Sequence, residues 1–154
     1  MNALRANLNH MRGVSLIEVL VAVVVLSIGL LGIAGLQIAG IRYTYDANLR
    51  YQAAMQASDM TDRIRANRQG MIAGNYNGIS GPGSDPGCIS TSCSVAQMAQ
   101  TDQFQWNASN AALLPGGAGT VVGDGTNFTV TITWNEMTAT GPAAQTYSVV
   151  VRLQ

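Results

Sequence analysis

The sequence predicts an α+β protein in which a long N-terminal helix, apolar in its first half, packs on a small antiparallel β-sheet. An apolar block covers residues 14–41, and about 20 consecutive apolar residues are enough to span a bilayer as a helix. A stripe with spacings of three and four, typical of one face of an amphipathic helix, follows at Leu49, Ala53, Ala57, Met60 and Ile64. Near the C-terminus, residues 127–134 and 146–153 alternate apolar and polar side chains, as half-buried strands do. Packing the stripe on the strands would cover both apolar surfaces.

The apolar block predicts a single membrane anchor. Its polar members are few and include one acid, Glu18. The block is longer than the apolar core of a secretory signal, and no clear A-x-A cleavage site follows it. The residues before it include Arg5 and Arg12 and no acid. Because basic flanks stay on the cytoplasmic side, we expect a cytoplasmic N-terminus and a C-terminal domain on the far side of the membrane.

The same helix is predicted to continue through residues 42–69 and to end near Gly70, because no proline occurs before Pro82. Only its first half needs lipid, and its second half is the amphipathic part. Charged residues four apart allow ion pairs along it, in the series Arg42, Asp46 and Arg50 and in the pair Asp59 and Arg63.

Residues 70–154 are predicted to form a folded domain outside the membrane. Residues 70–94 are rich in Gly, Pro, Asn and Ser and predict a loop. Ser94 and Gln97 resemble a capping box, which predicts a helix over residues 95–112. We expect the two C-terminal strands to pair antiparallel across a connection of about ten residues, with a short extra strand around residues 120–125.

Two cysteines, Cys88 and Cys93, enclose four residues of the predicted loop. They are either two free thiols, the usual state in a cytosol, or a short disulfide. The predicted topology places them on the translocated side and favours the disulfide. A lone pair of cysteines without a nearby histidine is too small a donor set for a structural zinc site.

The composition contains little that would support catalysis. The net charge is zero, lysine is absent, and the one histidine, His10, precedes the apolar block. No G-x-S-x-G, P-loop or H-E-x-x-H pattern occurs, so we expect no enzyme, no cofactor and no metal site.

Two clusters allow more than one interpretation. Arg63, Arg65 and Arg68 are either a contact for DNA or a solvated helix end. We favour the helix end, because cations suit a helix C-terminus, and we do not expect nucleic acid as a partner. The stretch from Asp124 to Asn127, "DGTN", is either part of a calcium loop or a turn. We favour the turn, since the stretch lacks the ligand count of a calcium loop.

The start of the apolar block carries a recognisable motif. Arg12 and Gly13 precede Val14, and Glu18 stands at the fifth position after the glycine. This pattern resembles the class III signal of type IV prepilins. The resemblance implies a leader of residues 1–13, cleavage between Gly13 and Val14 by prepilin peptidase, and N-methylation of Val14. Valine occupies a position where that family usually has phenylalanine.

The resemblance extends further along the chain. The anchor "IEVLVAVVVLSIGLLGIAGLQ" and the run from Cys88 to "LLPGG" are similar to the PilV family of minor pilins, the type IV pilus modification proteins. The resemblance implies a type IV pilin-like fold and a filament-core role for residues 14–41. It also implies a minor pilin that takes part in pilus assembly or priming at the filament tip, with effects on twitching motility. Its partners would be other minor pilins, the major pilin and inner-membrane lipid, and its C-terminal domain would be periplasmic before assembly.

Within this resemblance, Glu18 is expected to act in subunit assembly. An unpaired carboxylate in an apolar bundle is costly, whereas a paired one is tolerated. Cleavage after Gly13 would create a charged amine on Val14, about one helical turn away, and this amine could meet the carboxylate of a neighbouring subunit. The alternative is a Glu18 that stays hydrated at the level of the headgroups.

Two other functions fit the same features. A minor pseudopilin of a type II secretion system shares the leader and the anchor. A binding module, an adhesin or a DNA receptor at the filament tip, would share them too and would add an exposed aromatic or basic patch.

Overall fold

The structure is a computed structural model that describes residues 13–90, 92–138 and 140–153. The predicted leader, residues 1–13, lies outside the described residues except for Gly13. The described helices are α1 (Leu16–Ala66), α2 (Arg68–Ile72) and α3 (Val95–Leu113), and the strands are β1 (Gly78–Ile79), β2 (Ala118–Gly123), β3 (Asn127–Thr138) and β4 (Gly141–Arg152). The chain divides into two compact units, one ending at Tyr43 and the other beginning at Thr44.

The first unit contains the apolar part of α1. By length and composition, this helix is long and apolar enough to cross a membrane. None of the described residues before Leu49 is buried, so the apolar side chains of this unit have no cover within the described chain. A surface of this kind needs lipid or other helices around it.

The second unit has its own core. The predicted helical stripe is confirmed: the side chains of Leu49, Ala53, Ala57, Met60 and Ile64 are all buried. They form one apolar cluster with the inward side chains of β3, which are Phe128, Val130, Ile132 and Trp134, and with Trp106 of α3. The indole of Trp106 donates a hydrogen bond to the carbonyl of Gln56 (2.8 Å) and so links α3 to α1.

The four strands form one antiparallel sheet in the order β1-β2-β3-β4. The α+β class and the long helix over a small antiparallel sheet are confirmed. The short third strand around residues 120–125 is present as β2. The residues predicted as a loop, 70–94, also contain the end of α2 and the two residues of β1.

The predicted ten-residue connection between the last two strands is wrong. Thr138 pairs with Gly141, so β3 and β4 continue through most of the segment assigned to the connection. Gly141 adopts φ +120°, a backbone conformation that favours glycine, and this permits the tight reversal. Pro142 is tolerated because β4 has a hydrogen-bonded neighbour on one side only.

Helix α1 ends at Ala66, a few residues before the predicted end near Gly70, and Gly70 lies inside the short helix α2. The Asn67 side chain accepts a hydrogen bond from the backbone N–H of Gly70 (3.2 Å) and caps the short helix α2. The same amide donates to the Tyr76 hydroxyl (3.0 Å) and to the carbonyl of Val95 (2.7 Å). Asn67 thus ties the end of α1 to the start of α3, and its competing side-chain bonds explain the break between α1 and α2.

Candidate functional site

The first turn of α1 is capped by Ser15. Its carbonyl accepts hydrogen bonds from the N–H groups of Glu18 (3.1 Å) and Val19 (3.3 Å), and its hydroxyl also accepts from the N–H of Glu18 (3.3 Å). The S-x-x-E pattern before the apolar run is a signature of a helix start and could have identified this role of Ser15 from the sequence. Gly13 and Val14 therefore lie just ahead of the helix, outside its hydrogen-bonded turns.

Val14 and Glu18 lie on the same side of the helix start. Together with Ala22 and neighbouring apolar residues they line a shallow groove of about 360 Å³. Val14 is 70% exposed and Glu18 is exposed as well. Among the described residues no cation forms an ion pair with the Glu18 carboxylate. An acid is favourable in the first turn of a helix, which is one local reason for its position.

The predicted disulfide is present in the structure. Cys88 and Cys93 are joined, with their Cα atoms 5.5 Å apart. Cys93 directly precedes Ser94, the N-cap of α3, whose hydroxyl accepts from the N–H of Gln97 while Gln97 bonds back to the N–H of Ser94. The predicted capping box is therefore confirmed, and the disulfide closes the loop that leads into it.

A charged network joins the end of α1 to α3. The Arg63 guanidinium bonds to Asp59 (2.8 Å), Asp102 (3.3 Å) and the side chain of Gln105 (3.1 Å). Burial by itself lowers the pKa of Arg63, but the hydrogen bonds and charges of the two aspartates outweigh it, and the pKa is raised. The predicted i,i+4 pair with Asp59 is confirmed. The prediction that Arg63 belongs to a solvated helix end is wrong, because the residue is half-buried in this network.

Tyr76 completes the network from the loop after α2. Its hydroxyl is fully buried and donates a hydrogen bond to Asp102. Burial raises the pKa of Tyr76 well above its ordinary value, and the hydrogen bond to Asp102 adds to the shift. A neutral tyrosine between an aspartate and an asparagine amide supports the packing of the loop and offers no nucleophile or base.

Glu136 is a buried acid for which no role was predicted from the sequence. Its Oε1 accepts from the indole N–H of Trp134 (3.2 Å) and pairs with Arg50 (3.4 Å). Arg50, whose side chain is largely exposed, therefore pairs with Glu136 of β3 and not with Asp46 along the helix. The period-two pattern that places Trp134 inward, extended by two residues, could have identified it.

A small basic cleft lies where α1, α2 and β4 end. Its volume is about 180 Å³, and it is lined by Arg65, Arg68, Met71, Arg152 and Leu153. Arg65 pairs with Asp62 (2.9 Å). Arg65 and Arg68 are close together in the sequence and in the structure, whereas Arg152 is distant in the sequence and lies beside them only in the folded chain.

The remaining candidates are structural. Asp124 accepts hydrogen bonds from the N–H groups of Thr126 (2.9 Å) and Asn127 (2.6 Å), so "DGTN" forms the predicted turn. Within the described ranges, no group of three or more His, Cys, Asp or Glu side chains is placed to hold a metal ion.

Two family models match parts of the chain. Residues 8–34 match the model of the prokaryotic N-terminal methylation motif, and residues 35–104 match the model of type IV pilin Tt1218. No curated protein and no solved structure matches the chain. Residues 35–104 are therefore similar to part of a type IV pilin, and they follow residues similar to a prokaryotic N-terminal methylation motif, on the α+β fold that the sequence predicts.

Proposed function

We propose that the protein is a minor pilin of the PilV type that takes part in assembly or priming of a type IV pilus at the filament tip. One observation carries the proposal: residues 8–34, which match a methylation motif, include the start of the exposed apolar part of α1, while the unit that begins at Thr44 has a core of its own. A separate folded unit leaves the apolar helix free for lipid and then for other pilin helices.

The proposal begins with processing at the membrane. Prepilin peptidase cuts between Gly13 and Val14 and methylates the new N-terminus, Val14. Both residues are exposed and precede the first helical turn, so a peptidase can reach the bond without unwinding the helix. The protein then sits in the inner membrane with a periplasmic C-terminal domain until it enters the pilus.

The next step of the proposal is contact between neighbouring subunits, and it depends on Glu18. After cleavage, the amine of Val14 carries a positive charge, and Glu18 lines the same groove. In a staggered bundle, the amine of one subunit meets the Glu18 carboxylate of the next, since a paired charge is tolerated where an unpaired one is not. Prepilin peptidase, other minor pilins and the major pilin are the partners in this scheme.

Substitution of Glu18 tests this step. We expect Glu18→Ala to be inserted and cleaved normally but to be lost from sheared pili. Processing is read from the mass of the mature chain, and recruitment from immunoblots of the pilus fraction. Gln37→Ala is the matched control, because it removes another polar, exposed side chain of the apolar block and should be recruited normally. Recruitment of Glu18→Ala at the wild-type level would rule out the assembly role.

Deletion separates this function from the alternatives. Loss of pili in electron micrographs, together with loss of twitching, supports a role in assembly. Pili that persist while adhesion or DNA uptake fails would instead indicate a receptor at the tip. Normal pili combined with failure of protein secretion would indicate a minor pseudopilin of type II secretion.

A further inference from the structure

The two edges of the sheet are very different. One edge is β1, which has two residues, and the other is β4, which has 12. An edge strand presents unpaired N–H and C=O groups, and folded proteins usually shorten or disrupt such edges. The β1 edge follows this rule, whereas β4 leaves a long row of backbone groups without a strand partner in the described chain.

The protective features of β4 are confined to its two ends, at Pro142 and Arg152. Its pairing with β3 is continuous from Arg152 to Gly141, so no bulge twists the edge away. Between Pro142 and Arg152 the strand carries no proline and no charge. A regular and uncharged edge of this length can accept another strand.

The space beside this edge is open and partly apolar. Tyr147, Val149 and Val151 point inward and pack against the core, yet they are only half-buried. A groove of about 320 Å³ separates them from α1, where Ala57, Ser58 and Thr61 form part of its wall. A strand added to β4 would direct alternate side chains into this groove, because strand side chains alternate between the two faces.

Positive charge at one end of the β4 edge indicates which side chains a strand bound there would carry. Arg152 ends β4 and shares the basic cleft with Arg65 and Arg68. Arg68 and Arg152 form no ion pair with any described residue. Guanidinium groups bind carboxylates in a forked, two-point geometry, so the unpaired Arg68 and Arg152, beside an Arg65 that pairs with Asp62, favour an acidic group.

We propose that the free edge of β4 is a docking site for an extended, acidic-ended segment of another protein, which adds as a fifth strand and places carboxylates among Arg65, Arg68 and Arg152. A second copy of the chain fits less well. Residues 141–153 contain no Asp or Glu, so pairing of β4 with the β4 of another copy would place no acidic side chain beside the arginines. The proposal concerns the sheet edge alone and does not depend on a role in pili.

Peptide binding to the full chain in detergent micelles tests the proposal. The probes are labelled peptides of about 12 residues, the length of β4, with alternating valine and threonine and a pair of glutamates at either end. We expect one of them to bind in fluorescence anisotropy and to slow hydrogen exchange at the β4 amides that point away from β3. A peptide with a central proline, which cannot complete the ladder, should not bind.

Charge reversal provides the sharper test. We expect the double variant Arg68→Glu and Arg152→Glu to bind the glutamate-ended peptide more than about tenfold more weakly, because like charges at an interface are strongly unfavourable. The same variant should bind a lysine-ended peptide more tightly than the glutamate-ended one. The matched variant Arg68→Lys and Arg152→Lys keeps the charge and should keep most of the binding. Both arginines are exposed, so circular dichroism should be unchanged.

Three results would overturn the proposal. The first is an absence of peptide binding, or binding without protection of β4. The second is complete displacement of the peptide by inorganic phosphate at low concentration, which would make the cleft a small-anion site. The third is self-association of the peptide-free chain with protection of β4, which would assign the edge to a second copy.

Discussion

Two glutamates lie among apolar side chains, and only one has a partner in the described chain. Glu136 accepts from Trp134 and pairs with Arg50, so its burial is compensated within one domain. Glu18 has no ion-pair partner among the described residues, and its exposed surroundings are apolar. At the scale of the residue, this contrast distinguishes an acid that serves the fold from one whose partner would come from outside the chain.

The Tyr76 hydroxyl gives a first prediction at this scale. Tyr76→Phe should destabilise the protein by about 1–3 kcal/mol, because it removes the hydrogen bond to Asp102 Oδ2 in a buried site and one of the two bonds that the Asn67 amide donates. Urea unfolding followed by tryptophan fluorescence measures the change. Tyr147→Phe is the control, since Tyr147 is half-buried and its hydroxyl makes no hydrogen bond within the described chain. Equal losses for both variants would contradict the prediction.

Asp124 gives a prediction on pH. Hydrogen bonds from the side chain and then the backbone N–H of Asn127, together with the N–H of Thr126, lower the pKa of Asp124 from 3.8 to about 2. Because the folded-state pKa is depressed, the charged form stabilises the turn at pH above 3.8, and this contribution is lost as the pH falls from 3.8 to about 2. A carboxyl titration by NMR should find the midpoint near the lower value, and Asn127→Ala should raise it. A wild-type midpoint at 3.8 would disprove the assignment.

At the scale of the element, close contacts decide how α3 meets the sheet. Gly119 of β2 lies under Trp106, and a Cβ atom at this position would come within 2.3 Å of the indole ring. Its N–H also donates to the Asn107 side chain (2.7 Å). Helix α3 can approach β2 this closely only because the strand has no side chain there.

Gly119→Ala should therefore destabilise the protein by about 1–3 kcal/mol, the usual consequence of overpacking a core. Gly78→Ala is the matched control in another strand, since a Cβ atom there meets nothing within 4 Å. Thermal unfolding followed by near-ultraviolet circular dichroism should separate the two variants. A Gly119→Ala protein as stable as the Gly78→Ala protein would show that α3 can move away from the sheet at little cost.

At the scale of the whole molecule, the core and the membrane-type surface belong to different parts of the sequence. Every described apolar side chain that is buried lies at or after Leu49. The residues of the buried cluster all belong to the unit that begins at Thr44. The buried core and the exposed apolar surface therefore lie in different segments of the described chain.

A truncated chain tests this division. Residues 44–154 should fold without detergent and unfold cooperatively in urea, because they retain the full buried cluster. A chain that starts at Ser58 lacks the buried side chains Leu49, Ala53 and Ala57 and should lose cooperative unfolding. Aggregation of the fragment 44–154 without detergent would show that the apolar segment before Thr44 is needed for folding.

The local patterns of the sequence were sufficient for the class of fold, the long helix, the capping box of α3, the short disulfide and the turn at Asp124. Each depends on neighbours within a few residues or on a repeated spacing, which is why they can be read directly. The tertiary structure alone decided the pairing of Thr138 with Gly141, the ion pair of Glu136 with Arg50 and the place of Arg152 beside Arg65 and Arg68. These features depend on residues that are far apart in the chain and become neighbours only when the sheet and the helices close around one core.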